Sequence, residues 1–119
     1  MKYLNTKIQN GMSKINFTED QIRRDPDIRK KILTQAIIQW GPKSQEDMVV
    51  EECAELLKAL MKFRRSNSLS AKKCLLEMAD EIADVEIMLE QLKIMHELHE
   101  NVESIKVFKL KRLIERLNS

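Results

Sequence analysis

Glycine and proline occur only twice each in this chain, and one of each forms the adjacent pair Gly41-Pro42. Because these two residues are the principal interrupters of helix, a chain so poor in them has long uninterrupted stretches that default to helical conformation. Leu, Ile, Met, Glu and Lys dominate the remainder, and aromatic residues are scarce at 4%. An all-α fold follows, and 119 residues suffice for a single domain spanning 1–119 with one modest core.

Start and stop signals divide the chain. Residues 1–17 carry no clear period and read as an arm, ordered in part against a partner. Thr18 is placed to cap a short helix over Glu19 to Arg24, and Asp25 before Pro26 supplies the cap-plus-proline start of a second, reaching about Trp40 before Gly41-Pro42 stops it. Ser44 with Asp47 resembles a capping box, and Met48 to Phe63 has helical apolar spacing. The polar run Arg64 to Ser68 breaks that pattern, and Ser70 is placed to cap a helix from Ala71 to about Leu98. These two helices, over residues 44–98, predict an antiparallel hairpin. After a turn-like Glu100-Asn101, a basic amphipathic helix is expected within 101–119, carrying Ile105, Phe108, Leu110, Leu113, Ile114 and Leu117 mostly along one side.

Charge is distributed unevenly although the net value is only +2. Residues 1–43 hold nine bases and four acids, 44–100 hold seven and thirteen, and 101–119 hold five and two. The overall balance gives no case for nucleic acid or membrane binding. No apolar run approaches the roughly 20 residues needed to span a bilayer. Cys53 and Cys74 fall within helical patterns rather than a cysteine-dense framework, and no stretch reads as a secretory signal, so reduced thiols in a cytoplasm are expected.

The acids of the hairpin are not equivalent. At roughly 100° per residue, Glu52 lies among Met48, Val49, Leu56, Ala59 and Phe63, inside the apolar arc, with Glu55 one turn on at its edge. Glu51 instead points with Asp47, Lys58 and Lys62, a mixed-charge face. On the second helix Glu81 interrupts Cys74, Met78, Val85, Met88 and Leu92, with Asp84 and Glu77 along one border. An unpaired buried carboxylate costs several kcal/mol or takes up a proton. Two such positions on adjacent helices call for compensation, and a divalent cation supplies it. Glu52/Glu55 and Glu81/Asp84 are both i,i+3 pairs that an antiparallel hairpin can bring together. Carboxylates without His or Cys suit Mg²⁺, or Mn²⁺ in its place, and Mg²⁺ commonly completes its shell with substrate phosphates. The competing reading is that these acids make only surface pairs with Lys58, Lys62 or Lys73, as on most Glu-rich helices.

Glu51-Glu52-Cys53-Ala54-Glu55, followed after 25 residues by Glu81-Ile82-Ala83-Asp84, matches the pattern E-E-x-x-E then E-x-x-D. The chain thereby resembles the MazG-like all-α nucleoside triphosphate pyrophosphohydrolases over about residues 34–95, including Trp40-Gly41 and Gln45 before the acidic helix. The resemblance implies a helical-bundle hydrolase, a homodimer or homotetramer, that cleaves nucleoside triphosphates between the α and β phosphates to a nucleoside monophosphate and pyrophosphate. It places Glu52, Glu55, Glu81 and Asp84 at the metal ligands, with Glu51 beside them as a catalytic residue that orients a ligand or water. Lys58, Lys62, Lys109 and Arg112 are candidate phosphate contacts, and Trp40 and Gln45 candidate base contacts; a solvated face for each base and a core role for Trp40 are the competing readings. Separately, Val50, Ala54, Leu57 and Met61 form a second apolar face opposite Glu52, which predicts that hairpins of two copies join in a four-helix core.

A ferritin-like di-iron centre needs Glu-x-x-His, but the residues three before His96 and His99 are Lys93 and His96. His96 and His99 are accordingly read as exposed histidines at a helix end. A different class, a non-catalytic helical oligomeric adaptor, treats the acids as a charged face and the basic ends as binding an acidic partner. Arg23-Arg24 and Arg29-Lys30-Lys31 then become candidate nucleic-acid contacts, though without a recognised docking motif.

Overall fold

The computed structural model describes residues 14–119, and among these all regular structure is helical: α1 (Glu19–Arg24), α2 (Pro26–Trp40), α3 (Pro42–Arg64), α4 (Ala71–His96) and α5 (His99–Leu117). The arm expected over 1–17 falls mostly outside the described residues, and 14–18 carry no regular structure.

The first two helices begin as their sequence signals dictate. Thr18 Oγ1 accepts from the Gln21 amide at 3.1 Å while the Thr18 amide donates to Gln21 Oε1 at 2.9 Å, a reciprocal capping box. Asp25 Oδ1 accepts from the Asp27 amide at 2.9 Å, with Pro26 just inside α2. Arg29 turns back to donate to the carbonyls of Ile22 and Arg23, and Arg24 pairs with Asp20 at 2.7 Å. Two of the arginines considered as nucleic-acid contacts are thus engaged within the α1–α2 corner.

Two boundaries and one cap differ from the sequence expectation. The helix expected behind a Ser44 cap begins at Pro42 instead, because Gly41 takes φ 90° and ψ 149° and hands the chain directly to a proline at the first helical position. Helix α4 begins at Ala71 with Ser70 at the cap position, as expected, but the Ser70 side chain makes no capping bond; Asn67 organises the turn, its Oδ1 accepting from the amides of Leu69 (3.0 Å) and Ser70 (3.1 Å). The α4–α5 break falls at Glu97-Leu98 rather than Glu100-Asn101. Glu97 adopts the left-handed conformation (φ 54°), and the Leu98 amide reaches back to the Lys93 carbonyl at 3.0 Å, so α5 starts at His99, one residue before the expected turn.

Helices α3 and α4 form the antiparallel hairpin and the most extensive packing, with α2 laid against both. The buried core sits where α2 crosses the C-terminal part of α4: Ile37, Ile94 and Met95, backed by Leu33 and Leu92. Truncating a side chain as buried as Ile37 typically costs about 2–5 kcal/mol. The amphipathic helix expected near the C-terminus is present as α5, but it belongs to none of the closely packed helix pairs and contains no buried residue. Phe108 and Leu117 on it are 65% and 74% exposed.

Gly41 is needed for its backbone conformation alone, since a Cβ there would meet nothing within 4 Å. Residues with a Cβ avoid this region at a cost of about 1–3 kcal/mol. Gly41→Ala is therefore expected to lower unfolding stability by about that amount, read from the midpoint of chemical denaturation followed by circular dichroism; an unchanged midpoint would contradict the assignment of this corner.

Candidate metal centre

The hairpin register brings Glu52 on α3 opposite Glu81 and Asp84 on α4. One carboxylate oxygen from each lies within 4.8 Å of the others, and all three side chains are half-buried. The anomaly seen on the helical wheel therefore has a spatial counterpart: the acids that interrupt the two apolar arcs face one another across the seam. Glu81 Oε2 is shielded from solvent and has no hydrogen-bond partner. Buried polar atoms are almost always paired, so an orphaned carboxylate oxygen at the meeting point of three acids marks a place where a cation fits. The donors are hard oxygens without nitrogen or sulfur, which matches Mg²⁺ or Mn²⁺.

Electrostatics at the cluster agree with its geometry. Partial burial, then the charges of Asp84 and Glu81, push the Glu52 carboxyl above its ordinary value, and hydrogen bonds from Glu52 to those two acids favour its protonated form further. A divalent ion would reverse this balance and hold all three ionised.

The other acids predicted for the site are placed differently. Glu55 is exposed and lies outside the three-acid cluster, but it lines the adjoining groove together with Glu81. Glu51 is exposed, as its wheel position requires. Lys58 and Lys62 line that same groove, which runs along α3 and α4 toward the Asn67 turn. Lys62 donates to Glu77 Oε2 at 2.9 Å; this hydrogen bond holds the Glu77 carboxyl below the usual carboxylate range and raises the Lys62 ammonium. Lys109 and Arg112 are exposed on α5, apart from the closely packed helices. Trp40 is 62% exposed at the end of α2, whereas Gln45 is buried at 5%, which leaves little of its amide accessible to a base.

Three features escaped the sequence. Lys73, on the α4 stripe that continues through Glu77 to Glu81, lines the groove, and this i, i+4, i+8 spacing is the signal that could have found it. Gln91 is 2% exposed with an unpartnered Oε1, a buried amide that looks no different in sequence from a surface glutamine. Of the two histidines, His96 is exposed as expected and His99 is not. His99 is half-buried with Nε2 2.6 Å from Glu90 Oε1, and His96 Nε2 lies 3.6 Å from Glu46 Oε2. Burial pushes the Glu90 carboxyl up, but hydrogen bonds from Lys93 and His99 outweigh it and leave the carboxyl below its ordinary value. Cys53 and Cys74 are free thiols.

No family model, curated protein or solved structure matches this chain.

Because the Glu52 carboxyl is raised in the folded protein, its contribution to stability is fully present at acid pH and is lost as pH rises through the raised value. In chelator-treated protein, Glu52→Gln is expected to raise the thermal midpoint at pH 7.5 by a few degrees. The gain should shrink as pH falls toward the ordinary glutamate value of about 4.3. Thermal unfolding across pH measures this. A variant that melts several degrees below the wild type at neutral pH would mean that Glu52 supports the fold rather than a ligand.

Proposed function

We propose that this protein is a magnesium-dependent nucleoside triphosphate pyrophosphohydrolase of the MazG-like kind, splitting the α–β anhydride with water to give a nucleoside monophosphate and pyrophosphate. The observation that carries the reading is the convergence of Glu52, Glu81 and Asp84 across the α3–α4 seam, with one of the two Glu81 oxygens, Oε2, shielded from solvent and without a hydrogen-bond partner, at the positions of the E-E-x-x-E and E-x-x-D motifs.

Glu52, Glu81 and Asp84 would hold the cation, with Glu55 at the groove edge as a further ligand. Bound Mg²⁺ supplies a more acidic water and offsets charge on the phosphoryl oxygens. The chain's own part is placement. The hairpin fixes the carboxylates on two rigid helices, Lys58 and Lys62 present ammonium groups along the same groove, and Glu51 is one residue from Glu52 to orient a water from the exposed side. Trp40, exposed beside the start of α3, offers an indole face for stacking on a base.

Assembly is part of the proposal. Val50, Leu57 and Met61 on α3 are 70%, 65% and 47% exposed, on the side away from Glu52, and α5 beyond its first turn is exposed. Extended apolar surface of this kind marks an interface, and a second copy that pairs its hairpin with this one completes a four-helix core. Free cysteines fit a reducing, cytoplasmic setting. A non-catalytic adaptor is the second reading, and the uncovered α5 is the observation that favours it.

Release of pyrophosphate from a panel of ordinary and modified nucleoside triphosphates, with and without Mg²⁺, separates the two readings. The enzyme reading predicts magnesium-dependent release from at least one of them and a loss of about 100-fold or more in Glu52→Gln and Glu81→Gln with the helical content unchanged. Silence across the panel by folded protein favours the adaptor. Light scattering is expected to give at least twice the 14.0 kDa chain mass at micromolar concentration, and a monomer that is active would refute the shared core.

A further inference from the structure

Resting on the metal-site reading above, we infer the direction in which a nucleotide lies on this molecule: its phosphate chain runs from the carboxylate cluster along the α3–α4 groove toward the Asn67 turn, where Lys58, Lys62 and Lys73 hold the departing pyrophosphate, and its nucleoside lies toward the opposite end of the hairpin.

The charges of the two helices are polarised about the cluster. On α3 there is no Lys or Arg between Lys43 and Lys58, and on α4 none between Lys73 and Lys93. From Glu52 toward the turn, Lys58 stands six residues on and Lys62 ten, and from Glu81 toward the same turn Lys73 stands eight away. At about 1.5 Å rise per residue these ammonium stems leave the helices at successive steps along one groove. In the other direction the seam first presents carbon and neutral amide, with Met48 and Met88 half-buried and Val85, Gln45 and Gln91 buried, and ends where Glu46 of α3 faces His96 of α4 at 3.6 Å. Lys93, the nearest base on that side of α4, is paired with Glu90 at 2.9 Å. Lys43 of α3 stands nine residues from Glu52 on that side but does not line the groove, so an anionic chain lying in the groove meets lysines only on the turn side of the cluster.

The groove has a volume of about 470 Å³, within the range of about 300–1,000 Å³ common for small-ligand sites. Its lining also sets an order of binding. The three lysines share it with Glu55, Glu77, Asp80 and Glu81, so the walls carry a net charge of −1. A highly charged anion is repelled from such a groove until a divalent cation at the cluster reverses the sign. Lys62 is already tied to Glu77, whereas Lys58 and Lys73 form no ion pair among the described residues and can turn to phosphate at the smallest cost.

Calorimetric titration of the full chain with inorganic pyrophosphate, with nucleoside monophosphate and with Mg²⁺ alone tests the direction. Lys58→Ala and Lys73→Ala, both at exposed positions, are each expected to weaken pyrophosphate binding in the presence of Mg²⁺ by about tenfold, as for loss of a charged hydrogen bond. Affinity for the monophosphate and for Mg²⁺ alone should stay at the wild-type value, and pyrophosphate should give no binding signal in chelator. Lys31→Ala on α2 serves as the control and should change nothing. Lysine variants that lose monophosphate but keep pyrophosphate would reverse the direction. Variants that bind both as the wild type does, with Mg²⁺ still bound, would remove the groove from the account and leave the metal site intact. Folded wild-type protein that binds no Mg²⁺ would remove both.

Discussion

Three carboxylates set into the seam of an antiparallel helix pair are the constraint around which this molecule is arranged. A hairpin of two helices is stabilised by the apolar side chains that close its seam, yet Glu52, Glu81 and Asp84 occupy that seam and stay half-buried. The cost appears locally as the raised Glu52 carboxyl and the unpartnered Glu81 oxygen. It appears globally in where the core lies. The wholly buried cluster of Ile37, Ile94 and Met95 sits at the α2–α4 crossing, away from the acids, so α2 anchors the hairpin while the middle of the seam stays polar. Stability and candidate chemistry are thus separated along the length of α4.

This separation accounts for which features were legible in the sequence. The helical class, the hairpin and the two short N-terminal starts follow from local signals: scarce glycine and proline, the Thr18 and Asp25 caps, and apolar period. Glu52 and Glu81 were legible for a related reason, because a helical wheel reports departures from an apolar arc as readily as the arc itself. The two missed boundaries and the replaced cap all depend on interactions that a propensity pattern does not encode. Gly41 starts α3 through a backbone conformation, Asn67 replaces Ser70 by bonding two amides at once, and Glu97 ends α4 in a left-handed conformation that glycine would adopt more readily. Gln91 was illegible because burial of an amide depends on which helix crosses above it.

The uncovered surfaces point outward from the same seam. A helix of 19 residues with nothing buried is marginal on its own in water, and α5 carries five bases and several large apolar side chains without a covering element. Together with the exposed apolar side of α3, it is the uncovered apolar surface on which the proposed pairing of two copies draws, while the acidic cluster and its lysine groove lie elsewhere on the hairpin. Within the described residues no helix is long and apolar enough to cross a membrane.

The central claim is that the three carboxylates bind a divalent cation. Mn²⁺ titration followed by electron paramagnetic resonance tests it directly, because the signal of free Mn²⁺ falls as the ion is bound and no substrate or turnover is needed. The account predicts saturable binding by the wild-type protein, competed by Mg²⁺, and loss of that binding in Glu81→Gln with helical content retained. A folded wild-type protein that leaves millimolar Mn²⁺ free, or a Glu81→Gln variant that binds it as tightly as the wild type, would contradict it.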